Sequence, residues 1–129
     1  MKNDDWYKLR NLIFSRQFGD ALAVIKRDKD ILNARSSIGE TVLHYLAVEN
    51  NQEGVAWLKT HGANVNTQND FGVPPVFEVA ELGYKELLKW FLDNDADLSI
   101  TDKEGRDIWA YLKESNKSEM IEYLNKIKA

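Results

Sequence analysis

Residues 39–66 read G-E-T-V-L-H-Y-L-A-V-E-N-N-Q-E-G-V-A-W-L-K-T-H-G-A-N-V-N, and the fold turns on this stretch. Its opening glycine recurs at Gly72 and Gly105, so the series beginning at Gly39 has a spacing of 33 residues. A fixed period of that length marks a solenoid, in which each unit buries its apolar surface only against its neighbours. Within the stretch, Leu43, Leu46 and Ala47 fall at i, i+3 and i+4 of a short helix, with Thr41 placed to cap its N-terminus. Asn50 ends that helix. Its counterparts in the next two units are Gly83 and Asn116, and Asn and Gly tolerate positive φ most readily. A second helix then carries Val55, Trp57 and Leu58, and Gly62 supplies its stop.

Working outward, the third unit repeats the plan. Pro74 and Pro75 open its first helix, where a missing amide donor costs little. Val76, Val79 and Ala80 replace Leu43, Leu46 and Ala47, while Leu88, Trp90 and Phe91 replace Val55, Trp57 and Leu58. The fourth unit offers Trp109 and Leu112, then Ile121, Tyr123 and Leu124. Lys113 stands where the two preceding units have Ala47 and Ala80, and a charge there suits only a solvated last face, so it marks a C-terminal cap. Upstream, Trp6, Leu9, Leu12, Ile13 and Phe14 have helical spacing. Gly19 is positioned to end that helix in the left-handed conformation, and Asp20 to cap a second helix containing Leu22, Val24 and Ile25. This pair reads as a divergent first repeat. The intervening segments A-N-V-N-T-Q-N-D-F-G (63–72) and A-D-L-S-I-T-D-K-E-G (96–105) are turn-rich and predict extended loops or short β-hairpins.

Composition narrows the function classes. The 129 residues make one domain, 43% hydrophobic and 29% charged, with no apolar run long enough to span a bilayer. The N-terminal M-K-N-D-D-W-Y-K-L-R has no uninterrupted apolar segment of the secretory kind, which makes a cytoplasmic location the expectation. Cysteine is absent, and with it disulfides, thiolate nucleophiles and zinc–cysteine sites. A net charge of −4 and a pI of about 5.2 argue against broad binding to a nucleic-acid backbone.

The residues G-E-T-V-L-H-Y-L-A at 39–47 and H-G-A-N-V-N at 61–66 resemble the ankyrin repeat, whose pattern runs G-x-T-P-L-H-x-A-A with a G-A-D-V-N type tail. The resemblance covers about residues 5–127. It implies an all-α ankyrin-repeat solenoid of stacked helix-turn-helix units, with an N-terminal capping repeat over about 5–36, repeats over 37–69 and 70–102, and a C-terminal capping repeat over 103–129. Thr41, Leu43 and His44 match the family's structural threonine, leucine and histidine. Later units depart from the pattern, reading P-P-V-F at 74–77 and D-I-W-A at 107–110, so the histidine occurs once and the loops are expected to be held less rigidly. The implied shape is an L-shaped stack, with inner helices and loop tips on a concave face and outer helices on the back.

Catalytic and cofactor chemistry finds no foothold in this sequence. His44 and His61 are read without an acidic or histidine neighbour at metal-ligand spacing, so no metal is expected. Neither phosphate-cradling glycine motif occurs, and no nucleophile sits in a recognisable strained turn. The expectation is a protein that is not an enzyme and needs no cofactor. Trp57, Trp90 and Tyr123, spaced by 33 residues, are expected to stack as an aromatic ladder between outer helices. Glu53, Glu86 and Glu119 repeat with them, each in the first turn of an outer helix, where a negative charge complements the helix dipole.

Members of the family usually bind proteins through loop tips and exposed inner-helix positions. Carried over by position, the resemblance points to Ser37, Ile38, Glu40, Tyr45, Val48 and Glu49, then Asp70, Phe71, Val73, Glu78, Glu81 and Leu82, then Lys103, Glu104, Arg106, Tyr111 and Glu114. Seven carboxylates face Lys103 and Arg106 in this set, giving −5 against −4 for the whole chain. Tyr45, Phe71, Leu82 and Tyr111 would serve as apolar anchors within the charged rim. The expected partner is a protein with a basic surface, bound by a chain that is a monomer in isolation, with no nucleic acid or membrane involved. Inhibition or scaffolding of that partner is the leading reading. The alternative is a bacterial immunity protein that neutralises a cognate toxin such as a nuclease.

Overall fold

A computed structural model describes residues 2–128, with side chains from Asp4 onward. Among these residues there are eight α-helices and no strand. They form four helical hairpins in two compact units, one ending at Asn64 and the other starting at Val65.

The first unit holds α1 (Lys2–Phe14), α2 (Phe18–Arg27), a 3-10 turn (Lys29–Asn33), α3 (Val42–Val48) and α4 (Gln52–Thr60). Helix α1 buries Trp6, Leu9 and Ile13, the i, i+3, i+7 stripe of one face, and packs on α2 and α3. Phe14 departs from the expected apolar stripe and is 44% exposed. Helix α3 begins at Thr41, whose hydroxyl accepts from the His44 amide at 3.2 Å, and buries Leu43, Leu46 and Ala47. Full burial of a leucine such as Leu46 contributes about 1.5–3 kcal/mol. Gly54 lies in α4, where a Cβ would stand 2.7 Å from Ile13 Cγ2, so a bare backbone is what lets the two hairpins close.

The predicted end of α1 needs correction. Gly19 sits inside α2, and Arg16 takes the left-handed conformation instead, at φ 59. The Arg16 amide donates to Ile13 and the Gln17 amide to Leu12, the paired bonds of a Schellman cap. The same two bonds end α3 at Asn50, and later helices at Gly83 and Asn116. Because the chain has already turned at Arg16, Gln17 is the N-cap of α2 and Asp20 a first-turn residue facing the positive end of the dipole.

The second unit holds α5 (Pro75–Glu81), α6 (Lys85–Asp93), α7 (Ile108–Glu114) and α8 (Ser118–Lys128). Pro75 opens α5 at the first helical position, and Val76, Phe77, Val79 and Ala80 are buried along it. Helix α5 packs on α6 and α7, and α8 on α6 and α7. Leu87, Leu88, Phe91, Leu112 and Leu124 complete this core. Lys113 is exposed where its counterpart Ala80 is fully buried, as expected of a terminal face.

The connections are tight turns rather than hairpins of strands. In each, one residue closes a finger with its backbone and its side chain. Asn69 carbonyl accepts from Gly72, its amide donates to Val73, and its Oδ1 accepts from the amides of Phe71 and Val73. Asp102 does the same with Gly105, Arg106, Glu104 and again Arg106. In the first unit Ser36 fills this role toward Gly39 and Glu40. The period thus extends to Ser36, Asn69 and Asp102, all short polar residues that can bond their own backbone.

The expected aromatic ladder does not form in the second unit. Trp90 meets Phe91 edge-on at 5.2 Å, and Tyr123 instead donates to the Lys85 carbonyl, with Lys85 Nζ 5.4 Å from its ring. In the first unit Trp57 lies against Phe18 and His61. The repeating glutamates act between hairpins within a unit: Glu53 pairs with Arg16 at 3.0 Å, and Glu119 with Lys85 at 3.3 Å.

Candidate protein-binding face

Each finger leaves two side chains at its tip in solvent. Ile38 and Phe71 occupy equivalent tip positions and are 58% and 69% exposed, unusual for large apolar groups on a surface. Glu104 is the third equivalent and is also exposed. At the first two fingers the residue following the tip glycine behaves differently, because its carbonyl closes the finger and its side chain is covered. Glu40 and Val73 are therefore buried, which removes both from the surface set expected of the sequence. The Glu40 carbonyl also accepts from Trp6 Nε1 at 3.0 Å, and its carboxylate lies 3.6 Å from His44 Nε2. Contrary to the expectation from sequence, His44 therefore has an acidic neighbour, Glu40, four residues upstream.

In the first unit Tyr45 and Val48 are half-buried on α3, and Glu49 is exposed at its end. The Tyr45 ring meets Trp6 at 5.7 Å and Phe14 at 6.3 Å, both edge-on. Tyr7, 44% exposed, stands edge-on to Trp6 at 5.0 Å. Tyr7, Arg10 and Phe14 were not among the expected contact residues. Their signal is in the sequence all the same, as a second i, i+3, i+7 stripe one position beyond the buried Trp6, Leu9 and Ile13.

In the second unit Asp70, Leu82, Glu104 and Glu114 are exposed, and Glu78, Glu81, Arg106 and Tyr111 are half-buried. Most of them are brought together. Glu81 accepts from Tyr111 Oη at 3.0 Å and from Ser115 Oγ at 2.9 Å. Arg106 pairs with Asp102 at 2.8 Å, Glu114 at 2.9 Å and Glu104 at 3.4 Å, and lies 5.4 Å from the Tyr111 ring centroid. Phe77 backs Tyr111 at 5.2 Å. Burial pushes the Tyr111 phenol above its ordinary range, reinforced by the Glu81 charge, its hydrogen bond and the Glu78 charge. Tyr111 is therefore a fixed donor. Asp102 is only 5% exposed, and burial pushes its carboxyl up, but the bonds from the Arg106 backbone and side chain and the Glu104 amide outweigh burial and hold it below the usual range. Asp102 has its role through closing the turn, and Ser115 through a bond to Glu81 of the neighbouring hairpin, neither of which the sequence pattern displays.

Stacked helical hairpins that present tips and inner helices define a class of repeat protein built as a binding surface. The ankyrin repeat family model matches residues 38–70. Over 62 residues the chain is 40% identical to the ankyrin repeat protein OPG189 of Variola virus, covering 48% of this chain and 11% of that protein. It is 34% identical over 64 residues to protein glp-1 of Caenorhabditis elegans, covering 50% of this chain and 5% of that one. It is 38% identical over 60 residues to OPG189 of Vaccinia virus (strain Copenhagen), across 46% of this chain and 11% of that protein. The chain thus spans about a tenth or less of the length of these relatives. Residues 38–70 thus match the ankyrin repeat, and the chain is similar to ankyrin-repeat proteins over about half of its length. Ankyrin repeats generally mediate protein–protein interaction. No described helix is long and apolar enough to cross a membrane.

Proposed function

We propose that this chain is a non-catalytic interaction module that binds a protein with a basic surface. The reading rests on one observation: in the second unit Glu81 bonds Tyr111, the Glu78 charge acts on the same ring, and Arg106 beside it binds Glu104 and Glu114, while Asp70, Phe71 and Leu82 stand exposed on the same unit. Arg106 neutralises Glu104 and Glu114 in place. Asp70 is exposed and Glu81 is held by the neutral hydroxyls of Tyr111 and Ser115, so these two carboxylates keep their charge toward a partner. Charges of one sign around apolar anchors raise the association rate for an oppositely charged protein and hold it once docked. Phe71, at a finger tip, is the anchor best placed to enter a pocket on that partner.

Affinity capture with the full chain, followed by titration of the recovered partner, tests this reading. Glu78→Gln with Glu81→Gln should weaken binding about tenfold and flatten its salt dependence, while Phe71→Ala should speed dissociation. Unchanged affinity in the doubly neutralised protein, with circular dichroism showing it folded, would remove the acidic face from consideration.

A further inference from the structure

Arg10 and Arg106 both lie against aromatic rings, yet their surroundings are opposite. Arg106 is saturated by three carboxylates. Arg10 is half-buried, and its guanidinium carbon lies 4.9 Å from the Tyr7 ring, 5.2 Å from Tyr45 and 5.8 Å from Trp6. Its hydrogen bonds are Nε and Nη2 to the Asn11 side-chain oxygen, at 3.1 and 2.9 Å. Among the described residues no carboxylate lies within 4 Å of it, and Nη1 donates to nothing. Trp6, which floors the cluster, is 2% exposed and anchored by its bond to the Glu40 carbonyl. The rings therefore hold in place a guanidinium whose Nη1 has no hydrogen-bond partner among the described residues.

We infer that Arg10, with Tyr7, Phe14 and Tyr45, is a docking subsite for an acidic side chain of a protein partner, flanked by an apolar residue. A planar guanidinium matches a carboxylate with two parallel N–H···O bonds. Holding it against rings beforehand reduces the ordering cost that usually weakens such pairs. Tyr7 and Phe14, each 44% exposed, offer the apolar contact beside it. The subsite is of opposite sign to the carboxylate face of the second unit and stands independently of that reading. The partner segment that docks here accordingly carries an Asp or Glu beside an apolar side chain.

Selection from a phage-displayed library of random peptides, against the full chain and against Arg10→Gln, decides the matter. The wild-type protein should enrich peptides with Asp or Glu next to an aliphatic or aromatic residue. Arg10→Gln should lose that pool, and exchanging the selected acid for its amide in a synthetic peptide should weaken binding about tenfold. Arg10→Lys keeps the charge without the fork and should recover only part of the affinity. If Arg10→Gln does not fold, Tyr7→Ala with Phe14→Ala replaces it, and should deplete the apolar flank while leaving the acid preference. Basic peptides captured by the second unit form a separate pool, lost in Glu78→Gln with Glu81→Gln and kept in Arg10→Gln, so either reading can fail alone. No acidic consensus from the wild-type protein, or the same consensus from Arg10→Gln, overturns the inference.

Discussion

At the scale of the residue, the three finger glycines share a positive φ of 82, 76 and 77° at Gly39, Gly72 and Gly105, but they are not equally constrained. A Cβ on Gly72 would stand 2.8 Å from the Lys103 amide nitrogen, which itself donates to the Phe71 carbonyl at 3.1 Å. A Cβ on Gly105 would meet nothing within 4 Å. Gly105→Ala should therefore cost about 1–2 kcal/mol, the left-handed backbone penalty alone. Gly72→Ala should cost clearly more, because either the finger or its neighbour must move. Urea melts of the two variants give the comparison directly, and equal losses would mean that the contact between fingers contributes nothing. The need for glycine at both positions was legible in the 33-residue spacing, but the difference between them was not. Position 16 shows the converse. Arg16 occupies the place that Asn50, Gly83 and Asn116 hold in later repeats, and no propensity argument selects an arginine for a left-handed site.

Each finger is an element of five residues closed by its first side chain, and Asp102 closes the last one while also pairing with Arg106 at 2.8 Å. Its carboxyl is held below its ordinary range in the folded protein, so it binds protons less readily there than in the unfolded chain. The stability it supplies is thus present above its unfolded pKa of about 3.9 and is lost as pH falls through the depressed folded value. Asp102→Asn should keep the turn, because Asn69 makes the same two amide bonds through Oδ1. It should also lessen acid destabilisation below about pH 4, read as a shallower fall of melting temperature with pH. A variant as acid-sensitive as the parent would assign that sensitivity to other carboxylates. The helices themselves were read well: Thr41, Pro75 and Gly62 mark boundaries where sequence rules place them. The candidate site was read less well. Glu40 was assigned to the surface by its position in the repeat, whereas the finger's closing bond carries it underneath.

For the whole molecule, a periodic sequence invites the assumption that corresponding positions are interchangeable, and the two units show where this holds. Ala47 and Ala80 are both fully buried, whereas Lys113 is exposed. Ala47→Glu should destabilise by about 3–5 kcal/mol, an unpaired charge having no solvent to reach, and Lys113→Glu should change stability by no more than about 0.5 kcal/mol. Denaturation followed by tryptophan fluorescence suits the test, since Trp6 and Trp57 report on the first unit and Trp90 and Trp109 on the second. Comparable losses at the two sites would abolish the distinction between an interior and a terminal repeat. Gly54 carries the matter further. Its counterparts are Leu87 and Met120, both buried, yet α4 has no room for any side chain because Ile13 already fills the space. Copying the third repeat into the second's place would drive a leucine into that isoleucine. The second repeat is therefore keyed to the first, and a side chain gained at position 54 requires a smaller residue at position 13.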